Sequence, residues 1–125
     1  MLRDSHAFSG FSTNDIAAAH QFYGETLGLD VAEENGMLTL RFANGGRGLI
    51  YPKDDHQPAS YTALNFPVPN IDAAVDALVA AGVTFERYDG SGQDERGIQR
   101  QWGPPIAWFK DPAGNILSVI ETTDR

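Results

Sequence analysis

The stretch Phe109-Lys110-Asp111-Pro112-Ala113-Gly114-Asn115-Ile116-Leu117-Ser118-Val119-Ile120-Glu121 reads as two strands joined by a tight turn. Asp111 and Pro112 suit the first two positions of a type I turn, Gly114 takes a positive φ without penalty, and apolar residues resume directly after it. Successive strand residues point to opposite faces, so Leu117 and Val119 share one side while Ile116, Ser118 and Ile120 share the other. Glu121 falls with Leu117 and Val119.

Working outward, the chain divides into two similar halves. Setting Phe11 against Phe66 and Ile16 against Ile71 matches Ala18-Ala19 to Ala73-Ala74 and aligns a strand-then-helix pattern twice. In the first half the pattern predicts a strand over 8–13 and a helix capped by Asn14, with Ile16, Ala19, Phe22, Tyr23 and Leu27 on its apolar side and Gly28 at its exit. Strands follow over 29–34, 37–43 and 47–52, separated by Asn35-Gly36, a strong two-residue hairpin signal, and by Asn44-Gly45-Gly46. The second half predicts a strand over 60–67, a helix over 71–81 with Asn70 as cap and Gly82 beyond it, and strands over 83–88, 98–102, 105–110 and 115–121. The expected fold class is α+β, with two tandem βαβββ modules forming a curved, partly open mixed sheet, or cup, with the helices outside. One domain is expected over 1–125, with module 1 at about 1–58 and module 2 at about 59–125. Asp54-Asp55-His56-Gln57-Pro58 is the natural join. Segment 89–97, glycine-rich and charged, reads either as a loop able to move over the cup or as a solvated surface connection.

Composition narrows the function classes. At 125 residues, 42% hydrophobic and 21% charged, the chain can bury a core. Nine basic against seventeen acidic residues leave a formal charge of −8, which opposes attraction to nucleic acid and to anionic membrane surfaces. The absence of cysteine excludes disulfides, thiolate nucleophiles and cysteine metal sites. No apolar run approaches membrane-spanning length and the first residues lack a signal-peptide core, so a cytoplasmic location is expected.

The 109–121 turn, together with Asn14-Asp15-Ile16, Phe22-Tyr23 and Leu27-Gly28-Leu29, resembles the glyoxalase, bleomycin-resistance and extradiol-dioxygenase superfamily, the vicinal oxygen chelate fold. Its last strand typically follows a Phe-x-Asp-Pro-x-Gly-Asn turn. The resemblance implies a small-molecule ligand in the cup and chains paired as a homodimer. Metal-dependent relatives place a His or Gln on the first strand, a His on the first strand of the second module, and a Glu on each module's last strand. Those slots correspond here to Phe8, Ala63, Ser118 and a residue within Leu49-Ile50-Tyr51. Phe and Ala offer a cation no lone pair and a serine hydroxyl is a poor neutral ligand, so neither a metal nor another cofactor is expected.

Strand parity then selects ligand-binding candidates. It sets Leu64, Phe66 and Val68 under the helix, with Tyr61, Ala63 and Asn65 facing the cup; Phe11 and Thr13 pack helix-side, with His6, Phe8, Gly10 and Ser12 opposite. Phe8 adds an aromatic wall, and Trp102 and Trp108, on late strands, either stack on a ligand or fill the core. Arg41, out of phase with Leu38, Leu40 and Phe42, points either into the cup toward an anionic group or to solvent. Tyr61, Asn65 and Ser118 are the candidate orienting hydrogen-bond partners. Of the three histidines, no two share a metal-binding helical spacing; His6 and Tyr61 are the weak candidates for acid/base catalysis. The function expected is ligand binding or sequestration. The alternative is a lyase, isomerase or dioxygenase of the same superfamily, with a displaced divalent metal or with metal-independent acid/base chemistry.

Overall fold

In the computed structural model, which describes residues 1–122, the 109–121 turn closes as its chemistry dictates. Asp111 N–H donates to the Asn115 carbonyl at 2.9 Å, and Gly114, at φ +87, donates to the Asp111 carbonyl at 3.0 Å. A Cβ at Gly114 would meet Pro58 Cγ at 3.3 Å. Gly114→Ala is therefore expected to cost about 1–2 kcal/mol from the left-handed backbone alone. Urea unfolding measures this, and an unmoved midpoint would contradict it.

Two compact units are formed, Met1–Gln57 and one from Pro58 onward. In the first, strands β1 (Ser9–Thr13), β2 (Asp30–Glu34), β3 (Met37–Arg41) and β4 (Arg47–Pro52) make a mixed sheet in the order β1-β4-β3-β2, with β1 parallel to β4. Helix α1 (Ile16–Gln21) is capped one residue later than the pattern predicts. Asp15, not Asn14, accepts from the Ala18 N–H at 3.0 Å, because Thr13 Oγ1 already accepts the Asp15 N–H and sets the chain's entry angle. The helix widens into a π-helical stretch, Phe22–Thr26, where Leu27 N–H reaches back to the Phe22 carbonyl. Tyr23 there is fully buried, in contact with the Phe11 ring at 6.1 Å and edge-on to Phe22 at 5.3 Å. Asn35 (φ 56) and Gly36 (φ 77) make the mirror-image turn that their sequence predicts. Ala19, Tyr23, Leu38, Leu40 and Ile50 form this unit's core.

The second unit has three strands, β5 (Thr62–Val68), β6 (Ile106–Lys110) and β7 (Ile116–Glu121), in the order β5-β7-β6, with β5 parallel to β7. Helix α2 (Ile71–Ala80) is capped by Asn70, and its first N–H donates to Glu121 Oε2 at 2.9 Å. The phase of Glu121 thus serves the helix terminus, where a carboxylate is favoured. Ile71, Val75, Val83, Ile98, Ala107, Phe109, Leu117 and Val119 form the core. The chain is α+β throughout, with neither sheet closed into a barrel.

The strands expected over 83–88 and 98–102 shrink to single bridges, Phe85 to Phe109 and Gln99 to Ile106. Side-chain amides take the backbone groups that would have extended them. Gln93 Nε2 donates to the Glu86 and Gly97 carbonyls while its Oε1 accepts from Tyr88 N–H, and Gln99 Oε1 accepts from Gln101 N–H. The same contacts pin segment 89–97, which Arg96 ties to α2 through Asp72 and Asp76. Burial alone pushes the Asp94 carboxyl up, yet the Ile98 and Arg96 N–H groups and the Arg100 guanidinium together hold it below its ordinary value of 3.8. A lowered carboxylate stabilises the fold above its unfolded pKa and loses that effect as the pH falls through the folded one. Asp94→Asn is therefore expected to destabilise near pH 7 and to match the parent chain near pH 2. Thermal melts at both pH values test this; an equal deficit at both contradicts it.

Candidate functional site

Each sheet packs one face against its helix, α1 on β3 and α2 on β7; the opposite, helix-free face is the open face, and register places the candidate residues. In the second unit Asn65, Ser118 and Trp108 are consecutive partners across β5, β7 and β6, so they form one row on the open face. Ser118 is fully buried and its hydroxyl donates to Asn65 Oδ1 at 2.6 Å. The Trp108 indole N–H donates to Thr62 Oγ1 at 3.1 Å, and Tyr88 stands edge-on to the indole at 5.7 Å. Burial, then the Glu86 charge, raises the Tyr88 phenol above its ordinary value, so its hydroxyl stays a proton donor.

Strand parity misplaces Tyr61. The β5–β7 register shifts between Thr62 and Leu64, and this bulge puts Thr62, not Ala63, in phase with Ser118. Tyr61 precedes the strand and is 71% exposed. Trp102, expected on a strand, sits in the bends after the Gln99 bridge and is 72% exposed.

In the first unit Arg41 lies on the open face with Thr39, in register between Asp30 and Arg47. Phe8 lies just before β1, half exposed, and the Arg47 guanidinium sits over its ring with Cζ 4.8 Å from the centroid. A cleft of about 210 Å³ is lined by Phe8, Thr39, Arg47, Gly48 and Leu49. Arg47 was hidden by its place beside a glycine turn; pairing it across the hairpin with Arg41 would have shown it. His6 is exposed ahead of β1, His20 contacts Glu33 at 3.5 Å, and Ser12 Oγ hydrogen-bonds His56 Nδ1 at 2.6 Å.

The slots that metal-dependent relatives use for ligands do not fit a divalent cation here. Phe8 and Ala63 carry no donor, the Ser118 hydroxyl is engaged by Asn65, and Tyr51 on β4 is exposed. Among the described residues no three His, Asp or Glu side chains are grouped to hold a metal ion, and no helix is long and apolar enough to cross a membrane. The row can instead hold a ligand by aromatic contact and amide or hydroxyl hydrogen bonds.

Solved structures share this fold. The antibiotic-binding protein TnmS3 from Streptomyces superposes with a TM-score of 0.71 at 22% identity, covering 93% of each chain. The fosfomycin resistance protein FosX from Listeria monocytogenes gives 0.71 at 13% identity, with 94% of this chain and 93% of that chain covered. Lactoylglutathione lyase from Agrobacterium tumefaciens gives 0.69 at 17%, covering 95% of each. No curated protein sequence matches significantly. Residues 6–119 match the Glyoxalase/Bleomycin resistance protein/Dioxygenase superfamily, and over that span, nearly its whole length, the chain belongs to this family.

Proposed function

We propose that the protein binds a small molecule through its open sheet faces, without a metal, and acts by holding or sequestering that ligand. One observation carries the reading. At the last-strand slot where metal-dependent relatives hold a glutamate, this chain has a fully buried serine whose hydroxyl donates to Asn65. In the second unit Asn65 and Trp108 are the contact residues, with buried Ser118 fixing the Asn65 amide; in the first unit Phe8 and Arg41 are the contact residues. Sequestration agrees with the antibiotic-binding description of TnmS3, a shared fold at low identity. A homodimer, expected from the family, would sediment at twice the chain mass.

Mass spectrometry of small molecules retained by natively purified protein tests the reading. A compound held by the parent chain and lost from Asn65→Leu, with both proteins equally folded, is the expected result. Turnover of that compound by the parent protein would replace sequestration with the lyase, isomerase or dioxygenase alternative. Retention that Asn65→Leu leaves unchanged would move the ligand away from this row.

A further inference from the structure

Arg41 and Arg47 are direct partners across β3 and β4, side by side on the same open face. Like charges placed opposite one another weaken a sheet, and this chain carries net charge −8, so a cationic pair is not a general feature of its surface. Compensation is uneven. Asp30 lies 3.9 Å from Arg41, a long and exposed ion pair, whereas Arg47 has no carboxylate partner among the described residues. What Arg47 contacts is the Phe8 ring, whose centroid lies 4.8 Å from its Cζ, a cation–π distance. A cation–π contact consumes no N–H donor, so the guanidinium keeps its donors for a carboxylate, which an arginine grips with two parallel hydrogen bonds.

The surroundings restrict the occupant. Thr39 and Leu49 are register partners in the same cleft, one supplying a hydroxyl and the other an apolar surface. At about 210 Å³ the space equals roughly seven water volumes of ~30 Å³ each, too small for a whole drug-sized ligand and suited to one end of it. The net negative charge disfavours polyanions such as nucleotides or nucleic acid.

We propose that Arg47, in cation–π contact with Phe8 and aided by Arg41, is a carboxylate-binding site that takes the anionic end of a small organic ligand, with Leu49 against its apolar part. This rests on the small-molecule-binding reading and adds the chemical class of the ligand.

The probe is benzoate, followed by amide chemical shifts of ¹⁵N-labelled protein, beside neutral benzamide and cationic benzylamine. Benzoate is expected to shift the Gly48 and Leu49 amides saturably in the millimolar range, with benzamide roughly tenfold weaker and benzylamine inactive. Arg47→Gln should cost roughly tenfold or more in benzoate affinity and Arg41→Gln less, while Arg3→Gln, a change of equal charge elsewhere, should leave affinity unaltered. Unchanged melting temperatures exclude misfolding as the cause. Benzamide binding as tightly as benzoate, an Arg47→Gln chain with parent affinity, or no saturable shift at these amides would each overturn the assignment. If benzoate fails while a natively retained compound still depends on Asn65, the carboxylate site falls and the binding reading stands; loss of both removes the reading as well.

Discussion

Asp111→Ala should lower unfolding free energy by about 3 kcal/mol, within the range for a buried polar network left without its acceptor. Asp111 is 5% exposed and its carboxylate accepts from Ala113 N–H at 2.9 Å, Asn115 N–H at 2.8 Å and Asn115 Nδ2 at 2.9 Å. Asn115 is itself 3% exposed, so the donors released by the substitution have little water to turn to. The turn also sets the register of β6 against β7, and with it the row of Trp108, Ser118 and Asn65. Asp111→Asn should cost less, since its carbonyl still accepts the backbone N–H groups while its amide faces Asn115 donor to donor. Urea titrations give both values. Equal, small losses would mean that the carboxylate does not hold the turn.

Ser118→Glu has the second large effect. The substitution places a longer, ionised side chain at a fully buried position beside Asn65, so desolvation and overpacking act together. A loss of about 3 kcal/mol or more is expected near neutral pH, shrinking as the new carboxyl is protonated in acid. Adding zinc or manganese should not recover it, because Phe8 and Ala63 offer no further donors. Recovery of the parent melting temperature with stoichiometric metal would show that a ligand set exists here, and the metal-free reading would fail.

The face shared by Asn65 and Ser118 was legible in the sequence because strand parity propagates reliably from a turn as well marked as Asp-Pro-x-Gly, whereas Trp108, left there between ligand and core, joins the row only through the β6–β7 register. Parity fails wherever one residue is inserted. The bulge at Ala63 exchanges Thr62 for Tyr61 on the open face, and no composition rule announces it. Trp102 was misplaced for another reason. Its flanking residues read as a strand, but Gln99 Oε1 takes the Gln101 N–H, and Pro104 and Pro105 have no N–H to extend the ladder. The competition of Gln93 for the backbone around Glu86 and Tyr88 is equally invisible locally, since its partners lie four to seven residues away. Arg47 lies between Gly46 and Gly48, so its local sequence has the character of a turn, and only the β3–β4 register sets it opposite Arg41.

The central claim is that binding needs no metal. The most direct measurement is elemental analysis of protein purified without a polyhistidine tag, paired with mass spectrometry of its retained small molecules before and after EDTA dialysis. Divalent metal far below one equivalent and a retained compound that survives EDTA are the expected results. Close to one equivalent of metal, removed by EDTA together with the compound and restored with it, would contradict the account.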